Sequence, residues 1–151
     1  MIYEHKFTKR VEFSHTDMAG IMHFSNFYRF MEAVEHDLFR KLGKTVAGEI
    51  DERGYHLGWP RVDAKCNFRA PLKFEDQIEL HLIIREIRSS TIRYEVIFNN
   101  LKNDKKIESA RGEITIVHVE INPKEGKMRA CPLPQWMIDS ICVAPADYPN
   151  K

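Results

Sequence analysis

Residues 11–43 read V-E-F-S-H-T-D-M-A-G-I-M-H-F-S-N-F-Y-R-F-M-E-A-V-E-H-D-L-F-R-K-L-G, and this stretch decides the fold. Its first residues alternate between apolar and polar, which predicts the end of a strand running from about Tyr3 to Ser14. Asp17–Gly20 has the composition of a tight turn. Apolar residues then recur at helical spacing, which predicts one long helix closed by Gly43. The residues of this apolar stripe are Phe27, Phe30, Met31, Val34, Leu38 and Leu42.

The predicted helix carries enough apolar surface to form the core of a small domain. Burial of the six large side chains in its stripe contributes on the order of 10 kcal/mol. Phe39 lies outside the stripe, so we expect neighbouring elements to cover the helix on most sides. Either Ser25 or Asn26 is suited to the N-cap position.

Asp17 stands a few residues before the N-terminus of this helix, and two interpretations are open. In the structural one, its carboxylate only closes an Asx-turn. In the functional one, the free N–H groups and the dipole of the helix stabilise an oxyanion that develops on a carbonyl group. Asp17 then attacks that carbonyl or activates a water. The sequence of the turn alone does not distinguish the structural interpretation from the functional one.

Two segments resemble a known family. The run T-D-M-A-G-I-M-H-F-S-N-F-Y-R-F-M-E-A at residues 16–33 resembles the signature of the hotdog-fold thioesterases, and among them the 4-hydroxybenzoyl-CoA thioesterase family. The run P-R-V-D-A-K-C-N-F-R-A-P-L-K-F-E-D at residues 60–76 is similar to the second strand of that family and the turn after it. The resemblance implies an α+β hotdog fold, a single domain over residues 1–151 in which a five-stranded antiparallel sheet wraps one long helix. It also implies a thioesterase that hydrolyses an acyl-CoA or aroyl-CoA to the free acid and CoA.

The same resemblance implies roles for three residues near the turn. Asp17 matches the catalytic carboxylate of the family, and a backbone N–H near Phe24 matches the group that polarises the thioester carbonyl. His23 is a candidate for assisting proton transfer. Related bacterial acyl-CoA thioesterases carry a histidine one position later, where this chain has Phe24. His23 therefore has the alternative role of a polar loop residue.

Further candidates are expected to bind the substrate. Tyr28 and Trp59 are predicted to line the acyl pocket together with Phe24, although aromatic residues at such positions are also typical of plain core. In the resembling family the turn between the third and fourth strands contacts the CoA phosphates. Here that turn reads R-S-S-T, with fewer basic residues than the family has. The candidate CoA-binding residues in this turn are Arg88, Ser89 and Ser90.

The rest of the chain predicts further strands and two short helices. Alternating apolar residues predict four strands after the long helix, at about residues 61–68, 78–84, 92–98 and 110–121. Residues 45–51 are predicted as a short helix, and another is predicted to begin near Pro134. The tail from Ala144 to Lys151 is predicted to be loose. A lone sheet of this kind has an exposed edge, so we expect at least a homodimer, and the resemblance suggests a homotetramer.

Composition narrows the remaining function classes. A net charge of +1 gives no electrostatic case for a nucleic-acid or membrane partner. Three cysteines without metal-ligand spacing, and an N-terminus without an apolar signal segment, favour a cytoplasmic location. We expect no metal, and no cofactor beyond the coenzyme A of the substrate. The alternative function is a hotdog protein that binds acyl-CoA or an acyl carrier without catalysis, and a dehydratase is disfavoured by the turn sequence.

Overall fold

One long helix lies against a five-stranded antiparallel sheet in the computed structural model, which describes residues 1–149. A small three-stranded sheet, a short second helix and one turn of 3₁₀-helix at Phe13–His15 complete the architecture. In chain order the helices and strands are β1 (Glu4–Arg10), α1 (Ser25–Lys41), β2 (His56–Gly58), β3 (Arg61–Phe68), β4 (Gln77–Ile87), β5 (Thr91–Lys102), β6 (Lys105–Val117), β7 (Val119–Ile121), β8 (Met128–Ala130) and α2 (Gln135–Ser140).

The main sheet has the order β1-β4-β5-β6-β3, and every neighbouring pair of strands is antiparallel. This confirms the predicted α+β arrangement of one long helix and a five-stranded antiparallel sheet. The two faces of the sheet differ, as strand periodicity requires. Leu80, Leu82 and Ile84 of β4 join the core cluster of α1, whereas Ile83 belongs to a separate cluster.

Three local predictions are wrong. The first strand ends at Arg10 rather than Ser14, because the chain tightens into the 3₁₀-turn before the Asp17 loop. Residues 45–51 form an irregular loop rather than a helix, consistent with their few apolar residues. The last long strand ends at Val117, and the chain continues as β7 in the small sheet of order β2-β7-β8.

Helix α1 is buried on two sides, as its sequence predicts. Five of the six stripe residues are buried, and Leu42 is half-buried. Phe39 packs edge-on against Trp59 and Trp136, with ring centroids 5.5 and 6.0 Å apart. Gly43 has a φ of 71°, and Lys44 donates its N–H to the carbonyl of Phe39 at 2.9 Å. This is the Schellman arrangement expected of a C-terminal glycine.

The start of α1 differs from the prediction. Phe24 occupies the N-cap position, so neither Ser25 nor Asn26 caps the helix. The ring of His23 instead accepts a long hydrogen bond from the N–H of Ser25 at 3.3 Å. The side chain of Asn26 is buried and bonds to the loop before the helix, which removes it from capping.

Gly112 on β6 allows α1 to approach the sheet closely. A Cβ atom at this position would lie 2.2 Å from Sδ of Met31 and 3.0 Å from the carbonyl oxygen of Lys65. Met31 is fully buried on α1, so its side chain has little room to move away. The glycine therefore sets the distance between the helix and the neighbouring strands β3 and β6.

The C-terminal tail packs against the outer face of the sheet, so the prediction of a loose tail is wrong as far as residue 148. Ala144 is buried in one cluster with Ile83 and Ile97. The hydroxyl of Tyr148 donates to the carboxylate of Glu4, which also contacts His81. The last two residues of the predicted loose segment, 150 and 151, lie outside the described residues.

Candidate active site

The loop between β1 and α1 holds Asp17 in a tight hairpin-like turn. The N–H of Asp17 donates to the carbonyl of Ile21 at 2.9 Å, and the N–H of Gly20 donates to the carbonyl of Asp17 at 3.0 Å. Gly20 has a φ of 80°, a conformation that other residues rarely adopt. Thr16 and Met22 form an isolated antiparallel bridge that closes the turn.

The carboxylate of Asp17 uses one of its two oxygens for the turn. Its Oδ1 accepts the N–H of Ala19 at 2.8 Å, and the N–H of Ile21 approaches the same oxygen at 3.5 Å. This is the Asx-turn of the structural interpretation. Within residues 1–149, Oδ2 takes no hydrogen bond. The turn therefore orients the carboxylate and leaves one oxygen available to a substrate or a water.

Hydrogen bonds connect the Asp17 loop to the rest of the fold on both sides. The carbonyl oxygen of His15 accepts two hydrogen bonds at 2.8 Å, one from the N–H of His23 and one from the side-chain amide of Asn26. On the other side, the N–H of Met22 donates to the carbonyl of Leu72 at 2.6 Å. Since Asn26 lies in the first turn of α1, these contacts fix the position of the Asp17 loop relative to the helix N-terminus.

Phe24 begins the helix with helical backbone angles, φ −55° and ψ −32°. In the part of the chain that the structure describes, no acceptor takes its backbone N–H. The N–H groups of Asn26 and Phe27 already donate to the carbonyls of His23 and Phe24, at 2.9 and 3.2 Å. The N–H of Phe24 is thus a free donor at the positive end of the helix dipole.

Asp17 and Phe24 line the same open cleft, which has a volume of about 590 Å³. This volume lies within the roughly 300–1,000 Å³ typical of small-molecule sites. Phe27 and Phe68 form an aromatic wall, with ring centroids 4.7 Å apart. The residues that line the cleft are Asp17, Ile21, Met22, Phe24, Phe27, Phe68, Arg69, Ala70 and Pro71. The cleft therefore combines an apolar, aromatic surface with one carboxylate and one guanidinium group.

His23 does not line this cleft. Its ring is exposed, and Nδ1 lies 2.8 Å from the hydroxyl of Ser25. The ring also stacks on Phe24, with centroids 4.7 Å apart. These contacts hold the imidazole at the start of α1, and its part in proton transfer stays a prediction.

Tyr28 and Trp59 also lie away from the cleft. Tyr28 is half-buried and packs against the core. Trp59 is buried next to His118, with ring centroids 4.5 Å apart. It lines a separate small cavity together with Trp136. Neither aromatic residue lines the Asp17 cleft of its own chain, and a role for either of them in binding the acyl group stays a prediction.

The turn of residues 88–91 lies at the opposite end of the sheet. Thr91 begins β5, and Phe98, which contacts Phe27, lies seven positions further along that strand, or about 23 Å. The guanidinium of Arg88 pairs with Glu86 at 3.0 Å. The turn is exposed to solvent, where it could contact a ligand. Within one chain, however, it does not lie next to the Asp17 cleft.

Backbone hydrogen bonds of Ser89 and Ser90 connect the same turn to neighbouring segments. The carbonyl of Ser89 accepts the N–H of Leu133, and the carbonyl of Ser90 accepts the N–H of His118, both at 2.8 Å. The two hydroxyl groups make no hydrogen bond within residues 1–149. A role for Arg88, Ser89 and Ser90 in CoA binding stays a prediction.

Only Asp17 and Phe24 of the cleft residues were predicted as site residues, and Phe68 and Arg69 are two of those that the sequence did not single out. Phe68 ends β3 and is about half-exposed, and Arg69 follows it with its guanidinium paired to Glu108. Antiparallel register sets Phe68 opposite Ala110 of β6, which brings it next to Phe27 of α1. The available signal was Pro71, which marks the end of the strand, because clefts form where strands end and loops begin.

Among residues 1–149, no group of three or more His, Cys, Asp or Glu side chains is placed to hold a metal ion. No helix in the same range has both the length and the apolar character that crossing a membrane requires. The three cysteines are free thiols. Burial raises the pKa of Cys66 to about 11, so this thiol is protonated at neutral pH.

Comparison with known proteins agrees with the fold. Residues 11–141 match the thioesterase-like superfamily. A 1,4-dihydroxy-2-naphthoyl-CoA hydrolase from Crocosphaera subtropica is 34% identical, over 78% of this chain and 82% of the relative. The structure of a gentisyl-coenzyme A thioesterase is similar with a TM-score of 0.71 and 29% identity, covering 88% of this chain and 98% of the other. The 4-hydroxybenzoyl-CoA thioesterase of Pseudomonas sp. strain CBS-3 shares the fold, with a TM-score of 0.77, 22% identity and coverage of 91% and 99%.

The match covers most of the chain, so this protein belongs to the thioesterase-like superfamily. The predicted membership of the hotdog thioesterases is confirmed, and so is the hotdog fold. The prediction of an enzyme that hydrolyses CoA thioesters agrees with the names of these relatives.

Proposed function

We propose that this protein hydrolyses an aroyl-CoA thioester to the free aromatic acid and CoA in the cleft between the Asp17 loop and the start of α1. The observation that carries the proposal is that a carboxylate with a free Oδ2 and a helix N-terminus with a free N–H, at Phe24, line one cleft. The proposal uses no metal and no cofactor other than the CoA part of the substrate. It also retains the predicted cytoplasmic location.

In the proposed reaction, the thioester carbonyl oxygen accepts a hydrogen bond from the backbone N–H of Phe24. Asp17 either takes a proton from an attacking water or attacks the carbonyl carbon itself. The carbonyl oxygen becomes negatively charged, and the helix N-terminus stabilises it. The carbon–sulfur bond then breaks, and the CoA thiolate leaves and takes up a proton. In the nucleophilic route a water subsequently cleaves the acyl anhydride formed on Asp17, so both routes consume one water.

The aromatic lining favours an aromatic acyl group. Phe24, Phe27 and Phe68 offer ring faces and edges to a flat acyl group, and aromatic pairs gain about 0.5–1.5 kcal/mol beyond simple burial. The relatives whose names specify a substrate act on naphthoyl, gentisyl and hydroxybenzoyl thioesters. Both observations support an aroyl-CoA over a short-chain acyl-CoA.

A substrate panel tests this proposal. We expect purified protein to release CoA thiol from hydroxybenzoyl-, gentisyl- and dihydroxynaphthoyl-CoA with a kcat/KM at least about 10-fold above that for acetyl- and hexanoyl-CoA, a difference of about 1.4 kcal/mol. Thiol release is followed with a chromogenic disulfide. Preference for hexanoyl-CoA would contradict the aromatic assignment. Saturable binding of all the thioesters without thiol release would instead support the non-catalytic binding protein.

We further propose that two copies of this chain associate through β3. This strand is an edge of the main sheet, and seven of its eight residues are exposed. Antiparallel pairing of two copies about Ala64 would set Asp63 of each opposite Lys65 of the other, a favourable cross-strand pair. Exposed edges of this length are normally covered in native proteins. Such a partner would also lie beside the cleft, since Phe68 belongs to both β3 and the cleft wall.

Introducing a charged residue on the β3 edge tests this association. We expect Val62→Lys, at a β3 residue that is 62% exposed, to shift the molar mass measured by light scattering from that of an oligomer towards that of the monomer. The reason is that the added ammonium group of each copy would lie opposite Cys66 of the other and would lose water when the two edges join. Ile107→Lys is the matched control, because Ile107 is 46% exposed on β6 beyond the end of β3. A monomeric wild-type protein, or equal effects of both variants, would contradict the β3 interface.

A further inference from the structure

Arg69 carries the one cationic side chain that lines the Asp17 cleft within residues 1–149. The proposed hydrolysis gives this group no task. The other charged residue of the lining is Asp17, and all the remaining lining residues are aliphatic or aromatic. A guanidinium group has five N–H donors and no acceptor, so its natural partners are oxygen atoms that carry negative charge. The cleft therefore offers a strong hydrogen-bond donor to one oxygen atom of a ligand.

The backbone that carries Arg69 is held at both ends. The N–H groups of Arg69 and Ala70 donate to the carbonyl of Ser109 on β6, at 2.9 and 3.0 Å. The carbonyl of Leu72 accepts the N–H of Met22, in the loop between β1 and α1, at 2.6 Å. Arg69 thus stands on a segment that is attached to the sheet on one side and to the catalytic loop on the other. Only its side chain has to adjust to a ligand.

The ion pair that Arg69 makes leaves part of its guanidinium available. Nη1 pairs with Oε2 of Glu108. In the described part of the chain, Nε and Nη2 of Arg69 have no acceptor. The side chain is 53% exposed, so a ligand that enters the cleft can approach it. Arg69 therefore has free donors in addition to those that Glu108 occupies.

The pairing with Glu108 also leaves an excess of positive charge. Glu108 is shared, because Nε of Arg111 lies 3.2 Å from its Oε1. Arg111 faces Glu95 at 3.6 Å, and Glu95 in turn pairs with Arg85 at 2.9 Å. In this row of ion pairs, three guanidinium groups face two carboxylates. The positive charge of Arg69 is therefore only partly neutralised, which favours a ligand oxygen with negative charge.

The aromatic wall beside Arg69 indicates which part of the substrate carries that oxygen. Phe68 directly precedes Arg69, and its ring contacts that of Phe27 with centroids 4.7 Å apart. Under the proposed function, on which this inference rests, the ring of the acyl group packs against these two phenylalanines. We propose that Arg69 determines specificity by donating a hydrogen bond to a hydroxyl oxygen, neutral or ionised, on the acyl ring. The substrate class is then a hydroxylated aroyl-CoA rather than an unsubstituted one.

The exposure of Arg69 sets the size of the expected preference. A fully buried site that is built to bind a substrate hydroxyl discriminates by several orders of magnitude against the analogue that lacks it. Arg69 is about half-exposed, so water replaces the missing oxygen when the analogue is bound. We therefore expect a preference of about 10-fold, the lower end of the range for a hydrogen bond to a charged group.

Thiol release from matched thioesters tests the role of Arg69. The substrates are benzoyl-CoA and the three monohydroxybenzoyl-CoA isomers. We expect kcat/KM of the wild-type protein for at least one isomer to exceed that for benzoyl-CoA by about 10-fold. In Arg69→Met, which keeps an unbranched side chain and removes every donor, this ratio should fall to about one. All four substrates carry the same CoA, so contacts to the CoA part cancel in the ratio.

Arg111→Met is the matched control. It removes the other guanidinium from Glu108 at a residue that does not line the cleft, so the preference for the hydroxylated ring should persist. An equal loss on benzoyl-CoA and on the preferred isomer in Arg69→Met would assign the arginine to the CoA part of the substrate and overturn the proposal. A wild-type protein that prefers none of the isomers would overturn it too.

Binding measurements separate this inference from the proposed function. A wild-type protein that binds the four thioesters without releasing thiol would contradict the hydrolysis. The ratio of dissociation constants from calorimetry then replaces the ratio of kcat/KM, with the same expected values for the wild-type protein, Arg69→Met and Arg111→Met. A protein that hydrolyses the thioesters but shows the same ratio in the wild type and in Arg69→Met would contradict only the role of Arg69.

Discussion

Replacing Asp17 by Asn is expected to lower kcat on an aroyl-CoA by about 10²–10⁴-fold, the range typical for loss of a positioned proton-transfer group. An amide neither takes a proton from water nor attacks a carbonyl at neutral pH. The melting temperature should stay unchanged. The reason is that the side-chain oxygen of Asn can still accept the N–H of Ala19, as Oδ1 of Asp17 does at 2.8 Å. Steady-state thiol release and thermal unfolding measure the two quantities on the same sample.

The chain offers a matched control for this substitution. Asp51 also closes an Asx-turn, since its Oδ1 accepts the N–H groups of Arg53 and Tyr55 at 2.9 and 3.0 Å. It does not line the Asp17 cleft. Asp51→Asn therefore repeats the chemical change at a turn of the same kind, and kcat should remain near the wild-type value. Near wild-type turnover in Asp17→Asn would show that this carboxylate serves only the turn.

Replacing Arg61 by Met is expected to destabilise the protein by an amount that grows with pH. The folded state raises the pKa of Glu35 from its ordinary value of 4.5 to about 7, mainly through burial. The contribution of Glu35 to the stability of the wild-type protein is therefore largest below about pH 4.5. It falls as pH rises towards 7, because there the unfolded state has lost the proton that the folded state retains. Above pH 7 the pairing of ionised Glu35 with Arg61 keeps the curve level.

Without Arg61 the stability would continue to fall as the pH rises above 7. Glu35 would have to keep its proton or carry an unpaired charge in the core, and the cost rises by about 1.4 kcal/mol for each pH unit above 7. We expect Arg61→Met to be about 3 kcal/mol less stable than the wild-type protein near pH 8.5, because about 2 kcal/mol of charge cost adds to the lost hydrogen bond. Near pH 5.5 Glu35 is protonated in both proteins, and the loss should be close to the ~1 kcal/mol of one hydrogen bond. Denaturant unfolding at the two pH values measures this difference.

The double variant Glu35→Gln/Arg61→Met provides the control. It removes the buried charge along with its partner, so the penalty at high pH should disappear. Arg61 is about one-third exposed, and in Glu35→Gln alone its guanidinium can turn towards water. An Arg61→Met penalty that is equal at both pH values would show that the arginine acts through packing and not through the charge of Glu35.

Much of the fold follows from local sequence patterns. The stripe from Phe27 to Leu42 determines α1, because a helix must place residues three and four apart on its buried face. Alternation determines β3 to β6 in the same way. Asp17 and Gly20 determine the turn, since one supplies an Asx side chain and the other a positive φ. These features depend on neighbours within a few positions, which the sequence displays directly.

The composition of the cleft was decided by tertiary structure. The sequence pattern predicts that Trp59 and Phe27 are both buried aromatic residues. It does not predict which of the two lies beside Asp17. Strand register and the path of the chain after α1 place Trp59 near His118 and bring Phe68 to Phe27. The same holds for Glu35, whose position four residues before Phe39 does not reveal that both lie in the core. The sequence determined which surfaces are buried, and only the packing of distant segments decided which residues share a site.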